Sequence, residues 1–227
     1  MKYAVISDIH SNLEALTKVL SEIHTKHVDE IICLGDIVGY GANPDEVVEL
    51  VRQEVKCSVR GNHDDALFSD ETFSTINSYA KAAIIYTREL LSEKNSEWLK
   101  SIPMTHKIDN VLLVHASPSA PQSWKYIFTK SDAQVELLSF EEKICLIGHT
   151  HVPVIFKTSD LETKELINVG SVGQPRDGDN RASFGIIDTK NFIYENFRVE
   201  YNFRTAADKI IAAGLPQFLG ERLHKGR

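Results

Sequence analysis

Side chains that bind cations or transfer protons are concentrated in residues 60–64, which read Arg-Gly-Asn-His-Asp after a largely apolar run. Amide, imidazole and carboxylate groups contribute little to a hydrophobic core, but they can hold a divalent cation or move a proton. Four further apolar runs also end in aspartate or histidine. The candidate residues are Asp8, His10, Asp36, Asn62, His63, Asp64, His115, His149 and His151. Their recurrence at the ends of apolar runs predicts that all five stretches meet at one metal centre.

The spacing within two of these stretches places pairs of side chains on one side of the chain. Asp8 and His10 are two positions apart, as are His149 and His151, and alternate residues of an extended chain point the same way. The glycine before the second pair allows close approach of the backbone. Taken singly, each stretch also has an ordinary explanation, such as a helix cap, a turn at Asp36 or a hydrogen-bonded histidine at a strand end.

The elements that must position these residues begin with three predicted strands, Tyr3–Ser7, Ile31–Leu34 and Lys56–Val59. Helices predicted over residues 12–26 and 45–54 separate the strands, because apolar residues recur there at helical spacing. This alternation predicts a parallel α/β sheet with a site beyond the carboxyl ends of its strands.

Residues 65–102 are predicted to form a helical insertion beside the site, with helices at Ser78–Leu91 and Ser96–Lys100. The second half is richer in strands, and the later ones are expected to be mostly antiparallel. Its predicted strands are Thr105–Asp109, Val111–His115, Lys143–Ile147, Val152–Lys157, Leu166–Val169, Ala182–Asp188 and Phe192–Val199, with helices at Ser131–Leu138 and Thr205–Ala213. We predict one domain over residues 1–227, built on two sheets.

Composition excludes several classes of protein. The 227-residue chain is 42% apolar and 25% charged, which is typical of a globular protein. Its formal net charge is -7 and no cluster of Lys and Arg stands out, so bulk nucleic acid is not an expected partner. We find no signal-peptide pattern and no apolar run near the roughly 18 residues that span a bilayer. A cytoplasmic location without a membrane partner is the expectation.

The three cysteines, Cys33, Cys57 and Cys145, lie in predicted buried strands and form no CxxC motif. We interpret them as small apolar core residues, and their odd number argues against a secreted disulfide framework. No thiolate therefore belongs to the candidate site. Mixed oxygen and nitrogen ligands favour divalent Mn, Fe, Co, Ni or Zn.

The order of the motifs, DxH, GD, GNHD, H and GHTH, resembles the calcineurin-like metallophosphoesterase superfamily, and in particular its small prokaryotic phosphodiesterase branch. The resemblance runs from Asp8 to His151 and, more loosely, to the glycine-rich stretch 168–179. It implies an α/β (α+β) fold in which two packed mixed β-sheets are flanked by helices.

The resemblance also implies a role for each residue. One metal would be held by Asp8, His10, Asp36 and His151, and the other by Asn62, His115, His149 and again Asp36. Two metals roughly 3.5–4 Å apart would clamp a phosphoryl group, and a hydroxide bridging them would attack phosphorus in line. His63 would stay off the metals and, as imidazolium, stabilise developing charge and protonate the leaving oxygen.

The chain departs from the protein serine/threonine phosphatases of that superfamily at Gly39 and Tyr40, where those enzymes carry an Asp and an Arg. Either Asp64 or a backbone carbonyl must then orient His63. Arg176 is a candidate to replace the phosphate-binding arginine, and the alternative is that it pairs with Asp177 or Asp179.

Asn12, next to the DxH motif, is a second candidate for contact with the substrate, and the alternative is a helix cap. The predicted function is hydrolysis of phosphodiester or phosphomonoester bonds in a small phosphate ester such as a nucleotide. The alternatives are a dinucleoside polyphosphate hydrolase, a protein serine/threonine phosphatase, and a binding scaffold that uses residues 78–91.

Overall fold

The structure, a computed structural model, describes residues 1–158 and 163–227. The strands are β1 Lys2–Ile6, β2 Glu30–Cys33, β3 Cys57–Ser58, β4 Thr105–Ile108, β5 Val111–Val114, β6 Ile144–Ile147, β7 Val154–Lys157, β8 Glu165–Asn168, β9 Ala182–Asp188 and β10 Ile193–Val199. The helices are α1 Leu13–Ile23, α2 Pro44–Glu54, α3 Asn62–Ala66, α4 Asp70–Thr75, α5 Ser78–Leu90, α6 Glu93–Ser101, α7 Lys130–Glu136, α8 Phe203–Ala212 and α9 Gln217–Glu221.

Two mixed sheets, each of five strands within the described ranges, form the centre of the fold. The first has the order β10-β9-β1-β2-β3, in which β1, β2 and β3 are parallel and β9 is antiparallel to β1. The second has the order β4-β5-β6-β8-β7, with β5, β6 and β8 parallel. The predicted fold class, two packed mixed sheets flanked by helices, is confirmed.

The sheets pack face to face because alternate residues of each strand point to opposite sides. Tyr3 and Val5 of β1 point between the sheets, where they meet Leu113 of β5 and Leu146 of β6 in one buried cluster. The alternate residues Ala4 and Ile6 face outward. They pack against the apolar stripe of α1 and α2, while α7 covers the outer side of the second sheet.

The region predicted to be helical, residues 65–102, contains α4, α5 and α6, and α3 begins just before it. The notion of an insertion in a single domain stays a prediction. Helix α4 was missed because it is short and polar, although Ser69 caps it by accepting a hydrogen bond from the Thr72 amide. Strand β3 is shorter than predicted because the Arg60 amide leaves the ladder and donates to the Pro103 carbonyl.

The expected burial of the three cysteines needs one qualification. Cys33 and Cys145 are buried, but Cys57 is only half-buried, since β3 lies at the edge of its sheet.

Among the residues that the structure describes, no helix combines the length and the apolar character needed to cross a membrane.

Candidate metal centre

Every predicted ligand lies just beyond the end of a strand or at the start of α3. Asp8 and His10 follow β1, Asp36 follows β2, and His115 follows β5. The pair His149 and His151 follows β6, and Asn62 opens α3. All seven side chains are buried, and none is more than 7% exposed. Seven buried polar residues at one edge of two sheets form a cluster that an apolar core would not stabilise.

Two overlapping groups of donor atoms can each hold one cation. The first consists of Asp8, His10, Asp36 and His151, and the second of Asp36, His115 and His149. Within each group, the donor atoms lie within 4.8 Å of one another. Asp36 belongs to both groups, so its carboxylate is positioned to be shared.

The shortest separations surround the two carboxylates. The Nε2 atom of His151 lies 3.2 Å from Asp8 Oδ1. The same Asp36 oxygen, Oδ2, lies 3.5 Å from His10 Nε2 and 3.4 Å from His115 Nε2. Two donors bound at about 2.1 Å to one cation, at an angle of about 90–110°, would be roughly 3.0–3.4 Å apart. The observed spacings therefore fit cation coordination.

Backbone carbonyls accept a hydrogen bond from the Nδ1 atom of three of the four predicted ligand histidines. Nδ1 of His10 donates to the Val38 carbonyl at 3.0 Å, and Nδ1 of His115 donates to the Leu34 carbonyl at 2.8 Å. Nδ1 of His151 donates to the Gln174 carbonyl at 2.6 Å. A carbonyl oxygen can only accept a hydrogen bond, so Nδ1 carries the hydrogen and the Nε2 lone pair faces the cluster. This is the arrangement that orients histidines toward a metal.

His149 is turned the other way around. Its Nε2 donates to the Trp124 carbonyl at 2.9 Å, which leaves Nδ1 as the free donor atom. Tyr126 stacks on this imidazole with ring centroids 3.9 Å apart. The loop that follows β5 therefore fixes the orientation of one proposed ligand from outside the two sheets.

Two buried atoms at the centre have no hydrogen-bond partner among the described residues. They are Oδ1 of Asn62 and Nε2 of His115. A buried polar atom without a partner costs about 1–3 kcal/mol, so its presence requires an explanation. Both atoms belong to the predicted second ligand set, and a cation there would satisfy both.

The backbone is strained at five of the seven predicted ligands. Asp8, His10, Asp36, His149 and His151 have φ values of 52°, 50°, 52°, 68° and 61°. Non-glycine residues rarely adopt this left-handed region, which costs on the order of 1–3 kcal/mol each. The turns direct successive side chains after β1, β2 and β6 into one small volume.

Hydrogen bonds fix both carboxylates. Asp8 accepts from the Ser7 hydroxyl at 2.7 Å and from the His149 amide, at 3.0 Å to Oδ2. Asp36 Oδ1 accepts from the His63 amide at 2.8 Å, which leaves Oδ2 for the histidines. A glycine is required at position 148, directly before His149, because a Cβ atom there would overlap the Ser7 and Asp8 side chains.

The electrostatics favour a cation. Burial alone would lower the pKa of His115, but the adjacent Asp36 and Asp8 carboxylates outweigh it and raise that pKa to about 9. Burial alone would raise the pKa of Asp36, but the neighbouring histidines outweigh it and hold that pKa well below its usual value. Burial lowers the pKa of His10. It also lowers the pKa of His149, to about 3. At neutral pH without metal, ionised carboxylates therefore face neutral His10 and His149 and a protonated His115, whose proton a divalent cation would displace on binding.

His63 lies beside the cluster and lines a cleft of about 820 Å³. Its Nδ1 is buried without a hydrogen-bond partner among the described residues. The ring packs against the Cα of Gly39, whose φ is 90°, and a Cβ there would overlap Nδ1. An Asp at position 39, as in the protein phosphatases, therefore does not fit this placement of His63.

Backbone amides bind both carboxylate oxygens of Asp64. Its Oδ1 accepts from the amides of Ile37 and Val38, and its Oδ2 accepts from the Gly61 amide at 3.0 Å. Burial raises the pKa of this carboxyl group to about 7. These contacts tie the α3 turn to the loop after β2, and a role for Asp64 in orienting His63 stays a prediction.

Asn12 makes the contact that its helix-cap alternative predicts. Its Oδ1 caps α1 by accepting from the Ala15 amide at 3.1 Å, and its Nδ2 donates to the Gly173 carbonyl at 2.8 Å. Both ends of the amide are thus occupied away from the cleft, so the helix-cap alternative describes its contacts.

Arg176 pairs with neither Asp177 nor Asp179, which instead bind Arg198 and Arg181. It donates to the Gln174 side chain and lies with its guanidinium carbon 5.8 Å from the ring centroid of Tyr40. The second alternative for this residue is therefore wrong. Its charge remains available near the metal cluster.

Sequence reasoning missed the aromatic side of the site. Tyr40 packs against both His10 and His63, with centroid distances of 4.7 Å and 4.4 Å. Trp124 and Tyr126 line the same cleft. The alternation of aromatic residues over 124–128 was a signal that could have been used.

A buried Asp/His cluster at the strand ends of two packed sheets defines a metal-binding protein of the α/β/β/α type. Residues 1–192 match the family model described as the calcineurin-like phosphoesterase superfamily domain, and the chain belongs to that superfamily. It is 43% identical to the uncharacterised protein MJ0912 of Methanocaldococcus jannaschii, over 99% of this chain and 98% of that protein.

Two solved structures are similar over the whole chain. One is a metallophosphoesterase from Sphaerobacter thermophilus, with 37% identity, a TM-score of 0.89 and coverage of 100% of this chain and 99% of that one. The other is the hypothetical protein PH1004 from Pyrococcus horikoshii, with 23% identity, a TM-score of 0.85 and coverage of 100% and 98%. The second supports the fold alone.

Proposed function

We propose that the protein hydrolyses phosphodiester or phosphomonoester bonds of small molecules with two divalent cations. The observation that carries this proposal is the pair of overlapping donor groups that share Asp36. Asp8, His10, Asp36 and His151 would hold one cation, and Asn62, His115, His149 and Asp36 the other. When bound, such cations polarise a phosphoryl group and lower the pKa of water toward neutrality, which supplies a nucleophile.

His63 is the proposed acid for the leaving oxygen, because it lies at the cleft beside the ligands without belonging to either group. Burial, reinforced by the charge of Arg176, lowers its pKa to about 4, although Asp36 opposes this shift. The imidazole is then neutral at pH 7, whereas the family resemblance implied an imidazolium. A neutral ring still donates one N–H to a leaving oxygen, and the negative charge of a bound phosphate would raise its pKa.

The cleft supports a substrate larger than a phosphate ion. Its volume of about 820 Å³ lies in the range of sites for small molecules. Asn62 and His149 in the cleft lining are proposed cation ligands, and Trp124 and Tyr126 offer aromatic surface beside His149. This combination suits a phosphate ester whose organic group is planar or apolar.

The test uses protein that has been stripped of metal with a chelator and resupplied with Mn²⁺ or Ni²⁺. Turnover of bis-p-nitrophenyl phosphate and of p-nitrophenyl phosphate should depend on the added metal and should be lost in Asp36→Asn. No turnover of diesters, monoesters or dinucleoside polyphosphates with any divalent metal would refute the proposal. A phosphopeptide assay run in parallel distinguishes a protein phosphatase.

A further inference from the structure

Two arginines from distant parts of the chain converge next to the cation groups. Arg176 lies in the glycine-rich loop before β9, and Arg222 directly follows α9. The guanidinium carbon of each lies 5.8 Å from the ring centroid of the same residue, Tyr40. Both arginines are half-buried. A positively charged pair is thus assembled around one buried aromatic ring.

Neither arginine forms an ion pair with an aspartate or glutamate in the part of the chain that the structure describes. Arg176 donates from Nε and Nη2 to the Gln174 side chain, and Arg222 donates from Nε to a main-chain oxygen of Arg227. A guanidinium has five N–H groups in a planar fork, and beyond its Nε bond the guanidinium of Arg222 has no hydrogen-bond partner among the described residues. Such a fork matches two oxygens of a phosphate.

Two neighbouring positive charges that lack an aspartate or glutamate partner among the described residues repel each other. Burial, followed by the charge of Arg176, lowers the pKa of Arg222 to about 10. Like charges in a partly desolvated environment repel each other, and an anion placed between them relieves that repulsion. The pair is therefore suited to an anionic ligand.

Tyr40 links this pair to the proposed reaction site. Its ring centroid lies 4.4 Å from that of His63 and 4.7 Å from that of His10. Tyr126 lines the same cleft as His63, and while burial raises the pKa of Tyr126, the charge of Arg176 opposes that shift. An anion at the arginines would thus lie one aromatic ring away from a phosphoryl group at the cations.

The second arginine is supplied by a segment beyond the part that matches the superfamily domain, residues 1–192. Leu219 and Leu223, on either side of Arg222, are buried in one apolar cluster with Tyr40. The Gly178 amide in the loop of Arg176 donates to the Gly226 carbonyl at 2.9 Å. The C-terminal segment and the glycine-rich loop are therefore held together around the arginine pair.

We propose that Arg176 and Arg222 form an anion subsite that binds a second phosphate group of the substrate. The preferred substrates would then be phosphate esters that carry an additional phosphate, rather than simple monoesters or diesters. This inference rests on the proposed function, because it assigns a substrate class to the same site. Arg222 would set specificity, and the cation groups would set turnover.

The kinetic test compares inhibitors that differ by one anionic group, at one fixed concentration of Mn²⁺. Methylenediphosphonate carries two phosphonate groups and methylphosphonate carries one, and both compete against turnover of bis-p-nitrophenyl phosphate. In Arg222→Met, the inhibition constant of methylenediphosphonate should rise about tenfold, and that of methylphosphonate less than about threefold. Chelation of Mn²⁺ is the same for wild type and variant, so it cancels in the comparison.

Arg204→Met is the matched control. Arg204 also lies in the C-terminal region and over an aromatic ring, with its guanidinium carbon 5.9 Å from the Phe203 centroid, but that ring is not the Tyr40 ring that the arginine pair shares. This variant should leave both inhibition constants unchanged. Arg222→Lys keeps the charge without the fork and should fall between wild type and Arg222→Met.

A binding measurement on metal-free protein gives a readout that does not depend on turnover. Calorimetric titration should show methylenediphosphonate binding more tightly than methylphosphonate, with the difference lost in Arg222→Met and retained in Arg204→Met. Equal effects of Arg222→Met on both inhibitors, or no effect on either, would overturn the subsite while leaving hydrolysis intact. Absence of turnover in wild type would overturn the proposed function instead, and the calorimetry would still decide the subsite. A melting temperature for each variant shows that the fold is retained.

Discussion

His10 and His151 turn their Nε2 atoms toward each other at 3.2 Å, although each ring already donates from Nδ1 to a backbone carbonyl. Two lone pairs that face each other at this distance repel unless a cation or a proton lies between them. Burial lowers the pKa of both imidazoles, which disfavours a proton. The pair therefore indicates, by itself, that the folded chain is built around a bound cation.

Removal of metal should lower the stability of the protein for this reason. A ligand present at 100 times its dissociation constant stabilises the folded state by about 2.7 kcal/mol. We expect a chelator to lower the melting temperature and Mn²⁺ to restore it, as measured by scanning calorimetry. His10→Ala should respond much less to Mn²⁺ than wild type. An identical melting temperature with and without metal would contradict the assignment.

The shared position of Asp36 predicts a graded loss of metal. Wild type should retain two equivalents after dialysis, as measured by inductively coupled plasma analysis. Asp36→Asn should retain little of either, because its carboxylate belongs to both donor groups, whereas His149→Ala should retain about one. Equal loss in the two variants would mean that the groups do not bind separate ions.

His63 should be separable from metal binding. His63→Ala is expected to lower kcat by about 10²–10⁴-fold, the usual contribution of a general acid, while metal content stays at the wild-type level. His106→Ala is the control, because His106 is exposed on β4. Loss of metal from His63→Ala, or full turnover, would show that its role has been misassigned.

Gly39 should be sensitive to a side chain for two reasons that a control can separate. Gly39→Ala introduces left-handed strain of about 1–2 kcal/mol and a clash with His63. Gly214 also has a positive φ, of 72°, but a Cβ there meets nothing within 4 Å. We expect both alanine variants to lose stability in urea denaturation, and only Gly39→Ala to lose turnover. Wild-type turnover in Gly39→Ala would argue against the observed position of His63.

The loop that orients His149 depends on a buried carboxylate. Glu136 accepts from the Ser117 hydroxyl at 2.8 Å, from the Ser119 amide at 3.0 Å and from Lys125 at 3.3 Å. Burial alone would raise the pKa of Glu136, but the hydrogen bonds from Ser119 and Ser117 outweigh it and hold that pKa below its usual value. The resulting stabilisation is present above about pH 4.3, the unfolded value, and disappears as the pH falls through the lower folded value.

Glu136→Gln should therefore be destabilised relative to wild type by about 1–3 kcal/mol at pH 7, and by less at acid pH. Urea denaturation at several pH values measures the difference. Glu97→Gln, on the exposed face of α6, should match wild type throughout. A difference between Glu136→Gln and wild type that grows toward low pH would contradict this account.

Much of the fold follows from local patterns. The parallel strands carry continuous apolar runs, and α1 repeats its buried residues at helical spacing, so both were predictable. The proposed ligands were recognisable because each follows such a run. The contacts of Asp64 and Asn12 could not be predicted, because a sequence cannot show that backbone groups already bind their side chains.

The remaining features depend on contacts between distant segments. Tyr40 and Arg222 are separated by most of the chain, and no local pattern indicates that they meet. The left-handed turns at the ligands were also invisible, because aspartate and histidine occur in many other conformations. Such features arise from tertiary packing that overrides local preference.

The left-handed backbone at the proposed ligands also gives mutational drift a preferred direction. Glycine at Asp36, for example, would relieve strain and delete a ligand in one step. A lineage released from selection for turnover would thus gain folding stability while it loses the centre, and the packed core would be untouched. Reversal is harder, because each restored ligand must re-enter a backbone region that disfavours it. The fold is therefore predisposed to outlive its chemistry and to persist as a surface for binding other molecules.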